Sequence, residues 1–209
     1  MPKHRRETGL FAVESEDLVE AAASSGIEPV EVLEAGVSVA PELLAEVSTL
    51  GHAPRIVAVY RSADLPSGTR DVVLALSRVA DPGNVGTLFR TADAFGAALA
   101  LSDGCADPLG PRALRASAGA IFRVPLVAWD ELPKRRIALV AHGGQPLSKA
   151  ALEPPIAFLL GAEREGLPDD LVAQSHKVTI ELPGDAESLN VAAAGAIALY
   201  ELARRLAAR

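Results

Sequence analysis

Apolar and polar residues follow regular patterns in the second half of the chain. Short apolar runs alternate with segments in which apolar residues recur every three or four positions, a pattern typical of strands followed by amphipathic helices. The predicted strands are residues 72–79, 97–101, 124–128, 137–141, 156–161 and 177–182, and the predicted helices are residues 85–95, 112–118, 168–174 and 188–205, with a short helix from Asp130. This alternation predicts an α/β fold, with a mostly parallel sheet covered by helices on both faces.

The first 60 residues predict a smaller α/β unit. Strands are expected at residues 11–13, 29–33 and 56–60 and helices at residues 16–24 and 41–47, whereas the polar and basic residues 1–10 are expected to be flexible. Residues 61–70 have no apolar periodicity and are expected to be a linker. The predicted organisation is a small domain over residues 1–60, the linker, and a larger domain over residues 71–209.

Composition narrows the class of protein. Of the 209 residues, 49% are hydrophobic, which is ample for a buried core. No apolar run is long enough to span a membrane, and the N-terminus lacks the apolar segment of a secretory signal. The one cysteine, Cys105, excludes an intramolecular disulfide and fits a reducing compartment. We therefore expect a cytoplasmic protein with no membrane partner.

The net charge of −7 argues against nucleic-acid binding by the chain as a whole. Phosphate contacts are local, however, so the distribution of charge decides more than its sum. Acidic residues are concentrated in residues 14–46, whereas basic residues cluster in residues 3–6 and 134–136 and at Arg112, Arg115 and Arg123. Each basic cluster fits either a nucleic-acid contact or an ordinary solvated surface.

The glycines indicate where a ligand could bind. Neither G-x-G-x-x-G nor G-x-x-x-x-G-K-[ST] occurs, so the usual dinucleotide and phosphate loops are missing. Glycines instead follow three predicted strands, at Gly83 and Gly86, Gly161 and Gly166, and Gly184. The carboxyl ends of parallel strands are where α/β sheets form ligand sites. No metal is expected, because the lone cysteine offers no ligand spacing and the histidines are scattered, at His4, His52, His142 and His176.

Polar residues stand at the start of the last predicted helix. Ser188 and Asn190 follow the turn Pro183-Gly184-Asp185 and open a mostly apolar helix. Backbone N–H groups in a first helical turn have no intrahelical partners, so this position can hold polar or anionic ligand atoms. Alternatively, Asp185 or Ser188 serves only as the N-cap of the helix.

Three stretches together carry a family resemblance. They are residues 81–96, 158–167 and 187–192, which read DPGNVGTLFRTADAFG, FLLGAEREGL and ESLNVA. In this order and spacing they resemble the signature motifs of the SpoU (TrmH-like) RNA ribose methyltransferases, a branch of the SPOUT superfamily. The resemblance covers about residues 71–206 and implies a trefoil knot in the C-terminal part.

The resemblance extends to the N-terminal part and to the reaction. Residues 5–14 resemble the opening of the L30e/L7Ae-like domain that often precedes the catalytic domain in this family, although a purely structural layer fits them as well. The family implies a homodimer that transfers a methyl group from S-adenosyl-L-methionine to a ribose 2′-hydroxyl of ribosomal or transfer RNA. The implied cofactor-binding residues are Gly161, Ile180, Leu182 and Leu189.

The implied catalytic residues come from all three motifs and are Arg90, Asn84, Glu163, Asn190 and Ser188. Arg90 matches the family's catalytic arginine, and Glu163 and Asn190 are expected to orient it and the knotted loops. Arginine is effectively always protonated, so phosphate anchoring and stabilisation of a developing alkoxide suit Arg90 better than a role as general base. Without the motif, Arg90 is interpreted as a surface residue and Asn84 as a helix N-cap.

Two positions depart from the family's motifs, and two other functions stay open. Ile180 is followed by Glu181-Leu182 where the family has Pro-Met, and Ala162 stands where Asn or Ser usually precedes the glutamate. One alternative is an RNA-binding pseudo-enzyme of the same fold that acts in RNA or ribosome assembly. The other is a nucleotide-dependent oxidoreductase, against which the missing dinucleotide fingerprint counts.

Overall fold

The computed structural model describes residues 2–49 and 53–208, so that His52 lies outside the described residues. The strands are β1 Leu10–Val13, β2 Glu31–Glu34, β3 Ile56–Arg61, β4 Val72–Leu76, β5 Ala98–Leu101, β6 Arg135–Leu139, β7 Gln145–Pro146, β8 Ile156–Leu160 and β9 His176–Thr179. The α-helices are α1 Pro2–Thr8, α2 Glu16–Ser24, α3 Pro41–Val47, α4 Pro82–Ala94, α5 Pro111–Ser117, α6 Asp169–Ala173 and α7 Val191–Ala207. Short 3-10 helices cover Ser62–Asp64, Ala120–Phe122, Trp129–Glu131 and Leu147–Lys149.

Strands β4 to β9 form one parallel sheet in the order β5-β4-β8-β6-β9-β7. The neighbouring strands β4 and β8 run in register from Val72 opposite Ile156 to Leu76 opposite Leu160. Both strands are almost entirely buried, which explains their uninterrupted apolar sequences. The predicted α/β fold with a parallel sheet is therefore confirmed.

Helices cover both faces of this sheet. On one face, Leu74 and Phe158 belong to a core cluster that also contains apolar side chains of α4 and α7. Gly195 allows α7 to approach closely, because a Cβ there would lie 2.6 Å from Cδ2 of Leu88 on α4. On the other face, Leu159 packs in a second cluster bordered by the Trp129–Glu131 helix and by α6. These two layers fix the carboxyl ends of the strands, from which the loops of the site emerge.

One predicted strand is wrong, and several boundaries differ. Residues 124–128 make only isolated bridges, from Leu126 to Ser67 and to Leu99. Pro125 has no N–H to donate, so a regular ladder cannot continue through this segment. Strand β9 ends at Thr179 rather than at residue 182, and α7 begins at Val191 rather than at residue 188.

Residues 2–8 form α1, so the expected flexibility of residues 1–10 is wrong there. Arg5 on α1 donates from Nε and Nη2 to Oδ2 of Asp107, at 2.9 and 2.6 Å. Both side chains are partly buried, with 15% and 26% of their surfaces exposed. This charge-assisted pair holds α1 against the loop that follows β5.

The N-terminal part contains an antiparallel sheet in the order β1-β3-β2. It packs on the larger layer through the rings of Phe11, Tyr60 and Phe122, whose centroids lie 5.5 to 6.3 Å apart. The segment expected to be a linker is also held, because N–H of Leu126 donates to the carbonyl of Pro66 at 3.0 Å. The division into domains of residues 1–60 and 71–209 stays a prediction. None of the helices within residues 2–49 and 53–208 is long and apolar enough to cross a membrane.

Candidate active site

A cavity of about 570 Å³ opens at the carboxyl ends of β6, β8 and β9. Its wall consists of residues from the segments 139–142, 160–166 and 180–191, together with Ala194 on α7. All four predicted cofactor-binding residues line it, namely Gly161, Ile180, Leu182 and Leu189. The structure thus brings together residues of the second and third motifs where parallel sheets usually bind ligands.

Gly161 allows the tight turn that forms one side of this cavity. Ala162 and Gly166 exchange backbone hydrogen bonds of 3.1 and 2.9 Å, which close the turn. A Cβ on Gly161 would lie 2.2 Å from the carbonyl carbon of Gly166, closer than real contacts allow. Gly166 has a φ of +69°, which favours glycine. The second motif therefore needs both glycines for its backbone path.

Sequence reasoning missed the wall that follows β6. Residues 139–142 line the cavity, and N–H of Gly144 donates to Oγ1 of Thr179 at 3.0 Å, which ties this loop to the end of β9. The available signal was the pair Gly143-Gly144 directly after a predicted strand. Arg164 of the second motif also lines the cavity, and it was not singled out either.

A chain of hydrogen bonds connects the three motifs at the edge of the cavity. Nδ2 of Asn84 donates to Oε1 of Glu163 at 2.9 Å, and Nδ2 of Asn190 donates to Oδ1 of Asn84 at 3.0 Å. Oδ1 of Asn190 in turn accepts from the backbone N–H groups of Ala192 and Ala193, at 2.9 and 3.3 Å. Asn190 is therefore the N-cap of α7, rather than Asp185 or Ser188.

The groups at the two ends of this series of hydrogen bonds determine how the amide side chains of Asn84 and Asn190 are oriented. An ionised carboxylate only accepts hydrogen bonds, and the backbone N–H groups at the start of α7 only donate them. Asn84 must therefore present its NH₂ to Glu163, and Asn190 must present its oxygen to the helix. Asn84 itself lies in the first turn of α4, where Asp81 is the N-cap and accepts from N–H of Asn84 at 2.9 Å.

Glu163 is ionised at neutral pH. Partial burial raises the pKa of its carboxyl, but the hydrogen bond from Asn84 and backbone hydrogen bonds at Glu163 itself, Asp81 and Ala80 outweigh it. The pKa of Glu163 therefore lies below its ordinary value. The resulting negative charge gives Asn84 a strong acceptor and fixes the second motif against the start of α4.

Arg90 and Ser188 take no part in the hydrogen-bonded chain Glu163–Asn84–Asn190. Arg90 is exposed on α4, does not line the cavity, and forms no hydrogen bond or ion pair with any residue in the described ranges. Within one chain, Glu163 and Asn190 form hydrogen bonds with Asn84 and none with Arg90. Ser188 is an exposed residue that lines the cavity, and its hydroxyl forms no hydrogen bond within residues 2–49 and 53–208.

Metal ligands are not grouped in the described part of the chain. No group of three or more His, Cys, Asp or Glu residues within residues 2–49 and 53–208 could hold a metal ion. The polar groups that line the cavity are instead backbone groups and the side chains of His142, Glu163, Arg164, Glu187, Ser188 and Asn190. This set suits an organic ligand bound through hydrogen bonds and apolar contacts.

Comparison with known proteins identifies the family. The sequence model of the SpoU rRNA Methylase family matches residues 71–200. The 23S rRNA (guanosine(2553)-2′-O)-methyltransferase RlmP of Bacillus subtilis is 32% identical, over 96% of this chain and 91% of the relative.

Solved structures show the same architecture. The SpoU methyltransferase AviRb from Streptomyces viridochromogenes, in complex with the cofactor AdoMet, has a TM-score of 0.87 and 25% identity, over 98% of this chain and 93% of that chain. An AdoMet-bound rRNA methyltransferase from Sinorhizobium meliloti has a TM-score of 0.85 and 26% identity, over 99% and 91% of the two chains. The resemblance predicted from the three motifs is confirmed, and the chain belongs to the SpoU rRNA Methylase family.

Proposed function

We propose that ribosomal RNA is the substrate of this chain, which is an S-adenosylmethionine-dependent RNA 2′-O-methyltransferase. The observation that carries the proposal is the hydrogen-bonded chain Glu163–Asn84–Asn190, which joins the three family motifs at a cavity of about 570 Å³. Named relatives with high coverage act on ribosomal RNA, as the Bacillus subtilis enzyme does on 23S rRNA. The location proposed for this activity is the cytoplasm, supported by the lone Cys105.

The cavity fits S-adenosylmethionine in size and chemistry. Its volume lies in the range of about 300 to 1,000 Å³ that is usual for small-molecule sites. Ile180, Leu182 and Leu189 would provide apolar contacts for an adenine ring, and backbone groups of the turn at Gly161 would hold the polar part of the cofactor. When bound, S-adenosylmethionine supplies a methyl group on a positively charged sulfur.

Residues of this chain would hold the cofactor and the reacting ribose in fixed positions relative to each other. Glu163 and the two asparagines lock the second and third motifs onto α4, so that both sides of the cavity keep a fixed separation. The Arg90 guanidinium would anchor a phosphate and stabilise negative charge that develops on the ribose oxygen. Ser188, which lines the cavity, is available as a hydrogen-bond partner there.

A homodimer is part of this proposal. Arg90 lies outside the cavity of its own chain, which supports a role in the site of a second chain. Large apolar side chains are exposed at the end of α4 and on α7, with exposures of 38% for Phe95, 38% for Ile197 and 60% for Tyr200. Burial of such side chains against a second copy would stabilise a symmetric dimer.

Two finer features of the fold also belong to the proposal. A C-terminal trefoil knot is supported by the segment between β9 and α7, residues of which line the same cavity as residues of the loops 139–142 and 160–166. An L30e/L7Ae-like role of the N-terminal part in presenting RNA is supported by similarity to ribosomal RNA methyltransferases that extends over 98% and 99% of the chain.

The test is incubation of the purified protein with S-adenosylmethionine and either ribosomal RNA or transfer RNA, followed by mass-spectrometric mapping of ribose methylation. We expect a single modified position in ribosomal RNA. Modification of transfer RNA alone would correct the substrate class. Binding of RNA with no methylation of either class would favour the pseudo-enzyme.

Complementation tests the position of Arg90. Arg90→Ala and Asn190→Ala are each expected to be inactive. If Arg90 acts in the partner's site, mixed subunits regain one intact site per heterodimer, or roughly a quarter of wild-type activity at random mixing. If Arg90 acts in its own chain, the mixture stays inactive and the proposed arrangement of the dimer is wrong.

A further inference from the structure

Arg78, which lies at the carboxyl ends of the parallel strands, has an unusual backbone conformation. It follows β4 and has a φ of +56°, a left-handed conformation that non-glycine residues seldom adopt. Its N–H donates to Oγ of Ser102 at 3.0 Å, and Cγ of its side chain packs on Gly104, 3.3 Å from where a Cβ would be. The backbone and stem of Arg78 are thus fixed by the loop after β5.

The guanidinium of Arg78 is nevertheless free to meet a ligand. The residue is exposed, and it forms no ion pair with any residue of the ranges 2–49 and 53–208. Asp103, the acidic residue next to Ser102, contributes its backbone oxygen to the hydroxyl of Ser102. A strained backbone that displays an unpaired cation is the type of feature that accumulates at binding sites.

Arg112 provides a second cation at the same edge. Its Nη2 lies 3.2 Å from Oδ2 of Asp81, and 67% of its side chain is exposed. It also lies over Gly83, 3.8 Å from where a Cβ would be. An exposed ion pair contributes little to stability, so Arg112 can exchange Asp81 for a phosphate at little cost.

Both arginines border the residues that hold the three motifs together. Arg78 is three residues before Asp81, and Asp81 caps α4 and binds the backbone of Asn84. Asn84 in turn holds Glu163 at the cavity. Positive charge therefore stands beside the start of α4, which carries Asn84, although the chain as a whole is acidic.

We propose that Arg78 and Arg112 form a phosphate-binding pair that holds the RNA backbone beside the reacting ribose. Guanidinium groups bind phosphate oxygens through paired hydrogen bonds, and such contacts set the register of an RNA on a protein. The pair positions the substrate and takes no part in the chemistry. This inference rests on the proposed function, because it assigns the RNA of that reaction to this edge of the sheet.

The decisive variant is Arg78→Gly. Glycine adopts a φ of +56° without strain, so the variant should unfold at the same temperature as the wild type or higher. Fluorescence anisotropy with a labelled 23S ribosomal RNA fragment should show roughly tenfold weaker binding. The slope of log K against log salt should fall by about 0.7 to 0.9, the value for loss of one phosphate contact. Binding of S-adenosylmethionine, measured by calorimetry, should not change.

Further variants keep the result interpretable. Arg112→Gln should also weaken RNA binding and lower the salt slope, whereas Arg78→Lys should restore most of the slope but less of the affinity. Lys134→Gly removes one charge directly before β6, at the amino ends of the parallel strands and so at the opposite end from Arg78. This variant should leave the RNA affinity and the salt slope unchanged.

The outcomes separate this inference from the proposed function. Wild-type affinity and slope in both Arg78→Gly and Arg112→Gln would overturn the phosphate pair, even if ribosomal RNA is methylated. An equal loss of affinity in Lys134→Gly would overturn it too, because the effect would then reflect net charge. Absence of methylation by the wild type would refute the proposed function, while the binding measurements would still test the pair.

Discussion

Substitution of Gly161 by alanine tests whether the turn of the second motif forms the cofactor site. A Cβ at this position would meet the carbonyl carbon of Gly166 at 2.2 Å, its oxygen at 2.4 Å and N of Leu167 at 2.4 Å. Ordinary Cβ contacts begin at 3.4 Å, so the backbone of the turn must move by about 1 Å (3.4 − 2.2 = 1.2 Å). These neighbours are backbone atoms, which cannot rotate away as a flexible side chain could.

Gly161→Ala should lower both the stability of the protein and its affinity for S-adenosylmethionine. Overpacking of this kind destabilises a protein by about 1 to 3 kcal/mol, or several degrees in melting temperature for a chain of this size. The displaced turn lines the cavity, so we expect the Kd for S-adenosylmethionine to rise at least tenfold, which corresponds to about 1.4 kcal/mol. Calorimetric titration and thermal unfolding with and without the cofactor measure the two effects.

The matched control is Gly184→Ala. Gly184 lies in the loop between β9 and α7, has no positive φ, and has no atom within 4 Å of an added Cβ. This variant should keep the wild-type Kd and melting temperature. Unchanged cofactor affinity in Gly161→Ala, with the protein folded, would refute the argument that this turn forms the binding wall.

Three further predictions concern polar contacts. Asn190→Ala removes the cap of α7 and the hydrogen bond to Asn84, and should lower the free energy of unfolding by about 1 kcal/mol and weaken binding of S-adenosylmethionine. Denaturant unfolding measures the first effect and calorimetry the second, and wild-type values in both would contradict the prediction. Asn84→Asp replaces the donor to Glu163 by a carboxylate and should raise the pKa of Glu163 above its wild-type value. Carboxyl NMR measures this pKa, and Glu163→Gln serves as the assignment control. Because the pKa of Glu163 is depressed in the folded wild type, the stability that Glu163 contributes is present above pH 4.5 and is lost as the pH falls through the pKa of the folded protein. Hydrogen bonds from Arg204 and Arg205 lower the pKa of Glu201 to about 2, so acid should remove its contribution between about pH 4.5 and 2, and Glu201→Gln should show a shallower loss of stability in that interval.

The strands of the parallel sheet could be predicted because burial on both faces leaves a local signature. Strands β4 and β8 contain almost only apolar residues, and no alternative element of that length explains them. Residues 124–128 carry a similar apolar signature, but Pro125 interrupts the donor pattern and only bridges form. An apolar run therefore predicts burial more reliably than it predicts ladder hydrogen bonds.

The contacts of the site could not be predicted from spacing. Asn84 and Glu163 are 79 residues apart, and Asn84 and Asn190 are 106 residues apart, so no helical or strand period relates them. The resemblance identified these residues and implied that Glu163 and Asn190 orient Arg90. Within one chain they instead bind Asn84, which had the simpler interpretation of a helix cap. The conformation of Arg78 left no signal either, because glycine or asparagine is the usual indicator of a left-handed residue.

The structure indicates that Arg90 has a different role from the other polar residues of the motifs. Glu163, Asn84 and Asn190 contact one another and the start of α7, so their replacement should change the shape of the cavity and therefore cofactor affinity as well as rate. Arg90 forms no hydrogen bond with any of them and does not line the cavity. Its replacement should lower the rate of methyl transfer while the Kd for S-adenosylmethionine stays at the wild-type value. Because interactions made only in the transition state affect kcat rather than binding, this difference would identify Arg90 as the residue that acts on the reacting ribose.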